Sequence, residues 1–140
     1  MGKLKKYKTL LRKQGYKLTP QREAILTVMM DSKETHLTPE KICELTGNAH
    51  PQIGLTTVYR TLEIFRKVGL VNLVHFHDGV NRYEMNHKDH HHHLICLNCK
   101  KVEEVAECMI QDFEKRISSI TAFKVTSHCF GVFGYCGACQ

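Results

Sequence analysis

The sequence has no run approaching the ~18 consecutive apolar residues of a membrane-spanning helix, so that architecture is excluded at once. Residues 1–17 are basic but lack the apolar centre of a secretion signal, which predicts a cytoplasmic protein. Acidic residues are missing from the first 22 positions, which hold eight basic ones (Lys3, Lys5, Lys6, Lys8, Arg12, Lys13, Lys17 and Arg22). Cysteine is almost missing from the first part of the chain, where Cys43 stands alone. The other cysteines are Cys96, Cys99, Cys108, Cys129, Cys136 and Cys139. An odd total of 7, without a secretion signal and with two Cys-x-x-Cys pairs, argues for metal binding rather than a disulfide framework.

What is present divides the 140 residues in two. The net charge of +6 separates into +7 over residues 1–83 and −1 over residues 84–140. A basic first part suits a polyanion, although a solubilising face would look the same from charge alone. Of 10 histidines, five lie within residues 87–93.

The first part reads as helices and then a hairpin. Leu4, Tyr7 and Leu11 mark a short amphipathic helix stopped by Gly15. Thr19-Pro20 and Thr38-Pro39 are helix starts, with threonine as N-cap and proline at the first helical position. The first of these carries Ala24, Ile25, Val28 and Met29 inward, and the second Ile42 and Leu45. A further helix spans about 55–68, burying Val58, Leu62, Phe65 and Val68. Its other face offers Thr57, Tyr59, Arg60 and Glu63 to a partner. Alternation over 70–76 and 81–85 about Asp78-Gly79 predicts a hairpin. This order is the winged helix-turn-helix pattern, whose second helix enters the DNA major groove.

In the second part, residues 87–93 are expected to form a hinge. Strands are expected over 94–96 and 102–105, and over 123–135 as one long strand or two broken at Gly131, with a helix over 107–120 whose stripe is Met109 or Ile110, Phe113, Ile117 and Ile120. The fold class is α+β: a winged-helix domain, residues 1–85, then a small β-α-β dimerisation domain, residues 86–140. A core this small needs a staple and a partner. Cys96-Leu97-Asn98-Cys99 and Cys136-Gly137-Ala138-Cys139 supply four thiolates suited to tetrahedral zinc. A redox dithiol or two disulfides are the alternatives, but a redox pair sits before a helix in a thioredoxin-like βαβ unit, which the pattern does not show. Cys43, Cys108 and Cys129 have no partner pattern and read as small buried hydrophobes.

If residues 90–93 are extended, His91 and His93 share one face, and His90 and His92 the other. Glu84, Glu103 and Glu104 lie nearby in sequence. Imidazole with carboxylate accepts Fe²⁺, Mn²⁺, Co²⁺, Ni²⁺ or Zn²⁺, whereas a solvated loop is the plain reading of such a run. A zinc hydrolase using Glu103 or Glu104 as base, and a metal store, are rival classes; neither gives the basic half a role.

Five segments together resemble the ferric uptake regulator superfamily of metal-responsive repressors. They are Leu18-Thr19-Pro20-Gln21-Arg22, Thr57-Val58-Tyr59-Arg60-Thr61-Leu62, Arg82-Tyr83-Glu84, the run from Asp89 to Cys99, and Cys136-x-x-Cys139. The resemblance implies a cytoplasmic homodimer that binds AT-rich palindromic double-stranded DNA through Lys17, Thr57, Tyr59 and Arg60. It implies structural zinc on Cys96, Cys99, Cys136 and Cys139. It implies a regulatory divalent metal on His36, Glu84, His91, His93 and Glu104, with Fe²⁺ as the cellular ion and Zn²⁺, Mn²⁺ or Co²⁺ able to substitute. A further site matches at His90, His92, Gln111 and His128, where Gln111 replaces the usual acid and His92 a common aspartate. Zinc-sensing relatives usually place a cysteine before the histidine run, and Tyr83-Glu84-Met85 has none. Peroxide-sensing relatives usually carry Asp where Glu84 and Glu104 stand, and Asn where Arg60 stands. The iron branch therefore fits best, with peroxide, zinc, manganese and nickel sensing as alternatives.

Overall fold

The computed structural model describes residues 2–86, 90–108, 110–126, 128 and 130–140. The chain divides into two compact units, Met1–Asn86 and His87–Gln140.

The first unit contains α1 (Gly2–Lys13), α2 (Pro20–Asp31), α3 (Pro39–Gly47), α4 (Leu55–Lys67), β1 (Val71–His75) and β2 (Asn81–Met85). Gly15, at φ +83°, takes the left-handed turn that ends α1, and Tyr16 N–H caps the Leu11 carbonyl at 2.9 Å. Thr19 and Thr38 cap α2 and α3 by accepting from the Arg22 and Lys41 amides at 3.4 and 3.1 Å. Leu11, Ile25, Leu26, Ile42, Val58, Leu62 and Phe65 form the centre of the core. On α2 the buried residues are Ile25, Leu26 and Met29, so Ile25 and Met29 of the expected stripe lie in the core, Ala24 and Val28 are half-buried, and Leu26 joins the inward face.

β1 and β2 pair antiparallel, and Leu37 adds an isolated antiparallel bridge to Tyr83 on the far side of β2. That bridge, closed by N–H···O bonds of 3.0 and 2.8 Å, was not legible in the sequence. It places His36 beside Glu84. At the hairpin tip Asp78 accepts from the Val80 amide and from Arg82, at 3.1 and 3.0 Å. The Arg82 guanidinium lies 4.6 Å over the Phe76 ring.

The Arg82 bond holds the Asp78 carboxyl down to about 2 from its ordinary 3.8. A depressed carboxylate stabilises the fold above its unfolded value and loses that contribution as pH falls toward about 2. Asp78→Asn is thus expected to destabilise the wing at neutral pH, with its difference from the parent vanishing near pH 2. Carboxyl-carbon NMR titration with parallel unfolding curves measures both.

The second unit contains β3 (His92–Cys96), β4 (Val102–Val105), α5 (Gln111–Ile120) and β5 (Gly131–Gly134). The sheet order is β4-β3-β5, with β4 antiparallel and β5 parallel to β3. The expected hinge is shorter than its motif, because His92 and His93 belong to β3; residues 87–89 lie outside the described residues. α5 begins at Gln111 rather than 107, and Cys108, ahead of the helix, lies with its Sγ 3.4 Å from His128 Nε2. Met109 lies outside the described residues. The long strand expected over 123–135 shrinks to β5. β3 is paired on both sides by β4 and β5, and residues 123–126 join none of the three strands. Ser127 and Cys129 lie outside the described residues.

The α5 stripe was expected to be core, yet no residue of α5 is buried. Phe113 is 61%, Ile120 73% and Phe123 69% exposed. Within one chain the unit leaves this apolar face open. No described helix is long and apolar enough to cross a membrane.

Candidate metal centres and nucleic-acid interface

α3 and α4 form the helix-turn-helix pair. α4 buries Val58, Thr61, Leu62 and Phe65, which turns Tyr59 and Arg60 outward and leaves Thr57 half-buried. Tyr59 Oη donates to the Glu40 carboxylate on α3 at 2.9 Å, and this bond raises the tyrosine pKa. No local pattern points to Glu40, because the contact spans 19 positions. Lys17 is exposed in a shallow basic cleft with Lys8, Arg12 and Tyr16, and its carbonyl accepts from Arg22 at 2.6 Å.

His36 is oriented from both ring nitrogens. Its Nδ1 meets Thr35 Oγ1 at 2.9 Å, and its Nε2 lies 3.0 Å from Glu84 Oε2. Its ring packs edge-on to Phe76 with centroids 5.4 Å apart, so the Asp78–Arg82–Phe76 chain braces it.

In the second unit β3 splits the histidine run by face. His91 and His93 rings sit 4.9 Å apart on one side, and His90 and His92 rings 4.5 Å apart on the other. His93 lies directly opposite Glu104 in the β3–β4 register. Glu103 pairs instead with Lys101, at 2.8 Å, on the outside of the hairpin.

The sulfurs of Cys96, Cys99, Cys136 and Cys139 lie within 4.8 Å of one another. Lys100, at φ +64°, takes the left-handed conformation that closes the first turn, and its N–H donates to the Cys96 carbonyl at 3.0 Å. The Leu97 amide bonds the Gly134 carbonyl at 2.7 Å and carries the second turn alongside. Cys99 and Cys136 are 3.7 Å apart, against a sulfur–sulfur edge of ~3.8 Å in a tetrahedron of Zn–S bonds of about 2.3 Å. Amide donors, led by Cys136 N–H at 3.4 Å, bring the Cys96 thiol down to about 6. The neighbouring thiols Cys96, Cys136 and Cys139 push Cys99 the other way, up to about 11, so it is the spacing of the four sulfurs that fits zinc.

A third cluster joins His90, His92 and His128 with Cys108, their donor atoms also within 4.8 Å of one another. The expectation had named Gln111 as the fourth member. The structure places Gln111 exposed on the first turn of α5 and brings Cys108 to the cluster instead. Burial, then His90, His128 and His91, lower the His92 pKa and favour the neutral, metal-competent imidazole. Cys43, by contrast, packs against the first unit's core, with Sγ 3.8 Å from the Ile53 carbonyl.

A winged helix followed by a module of metal-donor clusters defines a metal-responsive DNA-binding regulator. Residues 13–133 match the ferric uptake regulator family. The chain is 38% identical over 142 residues to the ferric uptake regulation protein of Bacillus subtilis, covering 99% of this chain and 95% of that protein. It is 32% identical over 130 residues to the peroxide-responsive repressor PerR of Staphylococcus aureus, covering 93% and 86%. The structure of the Helicobacter pylori ferric uptake regulator, which has three functional metal-binding sites, superposes with a TM-score of 0.79 at 31% identity, covering 98% and 91%. The chain belongs to the ferric uptake regulator family: it is a DNA-binding transcriptional regulator and not an enzyme. Regulators of this family bind DNA and are dimers.

Proposed function

We propose that this chain is an iron-responsive repressor acting in the cytoplasm as a homodimer on AT-rich palindromic operators. Residues 1–85 serve as the DNA reader and residues 86–140 as the metal-binding dimerisation domain. Cys96, Cys99, Cys136 and Cys139 hold structural zinc. His36, Glu84, His91, His93 and Glu104 hold the regulatory ion.

The donor chemistry carries the reading. The first unit presents imidazole beside carboxylate in His36 and Glu84, and the second presents the same pairing in His93 and Glu104. Neither half contains a thiolate, which suits Fe²⁺ or Mn²⁺ better than a sulfur-rich site would. One ion taking ligands from both units would fix the reader's angle to the dimer. That would match the spacing of two recognition helices to a DNA helical repeat. The exposed Phe113, Ile120 and Phe123 supply an apolar face suited to a second copy.

Iron is favoured over peroxide sensing by Glu84, Glu104 and Arg60, where the peroxide branch usually has Asp, Asp and Asn. Anaerobic titration of operator binding with Fe²⁺, Mn²⁺ and Zn²⁺ tests this. Binding driven by Fe²⁺ at cellular concentrations and restored by an iron chelator's removal is expected. Loss of binding after peroxide treatment of the iron form, persisting on reduction, would move the chain to the peroxide-sensing branch.

The DNA residues separate by contact type. Arg60→Ala is expected to weaken operator binding by about 1–3 kcal/mol and to relax sequence preference. Lys17 matches the family's minor-groove lysine; Lys17→Ala is expected to weaken operator binding, and to flatten the salt dependence by about one unit if the side chain contacts phosphate. Fluorescence anisotropy against operator and scrambled duplexes at several salt concentrations distinguishes them.

A further inference from the structure

The third cluster differs in kind from the His/Glu set, because one of its four donors is a thiol. Its ligating atoms arrive from three separate stretches: the start of β3, the segment after β4, and the segment after α5. His90 Nε2 and His92 Nε2 are 3.0 Å apart, and Cys108 Sγ and His128 Nε2 are 3.4 Å apart. A tetrahedral ion with Zn–N of about 2.0–2.1 Å and Zn–S of about 2.3 Å has N···N edges of ~3.3 Å and N···S edges of ~3.6 Å. These two distances lie within a few tenths of an ångström of those edges, and all four donor atoms lie within 4.8 Å of one another.

The second contact of His128 points the same way. Its Nδ1 bonds the Glu114 carboxylate of α5, which fixes Nε2 as the nitrogen facing the cluster. A carboxylate behind an imidazole whose other nitrogen faces three further donors is the arrangement that orients a metal-ligating histidine. The four residues named from the family pattern, His90, His92, Gln111 and His128, are all neutral donors. Cys108 supplies the negative charge that set lacks.

We propose that Cys108 completes a His₃Cys site with His90, His92 and His128, positioned by Glu114, which binds zinc-class ions through a thiolate. Sulfur ligation shifts preference toward Zn²⁺ and Co²⁺ and away from Fe²⁺ and Mn²⁺, so the chain sorts metals by donor type. The ion would also tie His128, in the strand-free stretch between α5 and β5, to β3. This site stands independently of the regulatory reading.

Cobalt is the probe. Full-length protein keeping its Cys96/Cys99/Cys136/Cys139 zinc, verified by native mass spectrometry, is titrated with Co²⁺. A sulfur-to-cobalt charge-transfer band is expected, since the His/Glu set has no sulfur to produce one. Cys108→Ser is expected to lose the band and to weaken that cobalt at least tenfold. Cys108→Asp is expected to bind cobalt without the band. Glu114→Gln is expected to keep the band with affinity 10–100-fold lower, as for other outer-shell partners. A band unchanged in Cys108→Ser, or cobalt bound in the parent protein with no band, would overturn the assignment. Operator binding measured on the same samples reports separately on the regulatory reading.

Discussion

Cys96→Ser is expected to release the structural zinc and leave the second unit unfolded and monomeric. The second unit is small, and among the described residues its buried apolar side chains are only Ile95 and Cys96. Three short strands and a fully unburied helix do not offset the chain entropy of ordering so short a segment. Metal supplies the difference: structural zinc in small domains is worth on the order of 10–16 kcal/mol at neutral pH. Cys96 joins two turns 40 residues apart, since its sulfur also accepts the Cys136 amide. Its loss therefore removes a ligand and unlinks both turns. Metal analysis, circular dichroism and mass photometry should show less than one zinc per chain, lost β signal and monomer. Cys43→Ser, which touches only the first unit's core, should keep zinc and dimer.

His93→Ala is expected to abolish metal-stimulated operator binding while leaving the fold and the structural zinc intact. The backbone of His93 pairs with Glu104 on one side and Gly131 on the other, and alanine keeps both ladders. What disappears is an imidazole facing His91 and opposite Glu104. If the regulatory ion couples the two units, metal-free affinity should stay where it was and the metal-dependent gain should vanish. That gain is about 1–3 kcal/mol, or 5–150-fold, for linkage of this kind.

The first unit was largely legible because its signals are local. Thr19-Pro20, Thr38-Pro39, Gly15 and Asp78-Gly79 each act within a few residues, and each element starts or turns where they stand. The second unit was less so. Residues 123–126 alternate like a strand but pair with none of β3, β4 and β5, and no local pattern reports whether an alternating stretch will find a partner strand. The α5 stripe has the right period, yet periodicity cannot tell a core face from one left for another chain. The split of the histidine run between two faces followed from strand period alone. His36 came only from the family pattern, since the Leu37–Tyr83 bridge that sets it beside Glu84 spans 46 positions. Cys108 carried no spacing signal, as its partners lie 16 or more residues away in either direction.

The central claim is that one regulatory ion, distinct from the structural zinc, governs DNA binding. The most direct measurement is operator affinity of the zinc-containing dimer with and without saturating Fe²⁺ under anaerobic conditions, paired with Fe²⁺ affinity with and without operator. Linkage requires the two ratios to agree. The expected result is a 5–150-fold tightening in both, absent in His93→Ala. Operator affinity unchanged by Fe²⁺ or its chelation would contradict the account while leaving DNA binding itself in place.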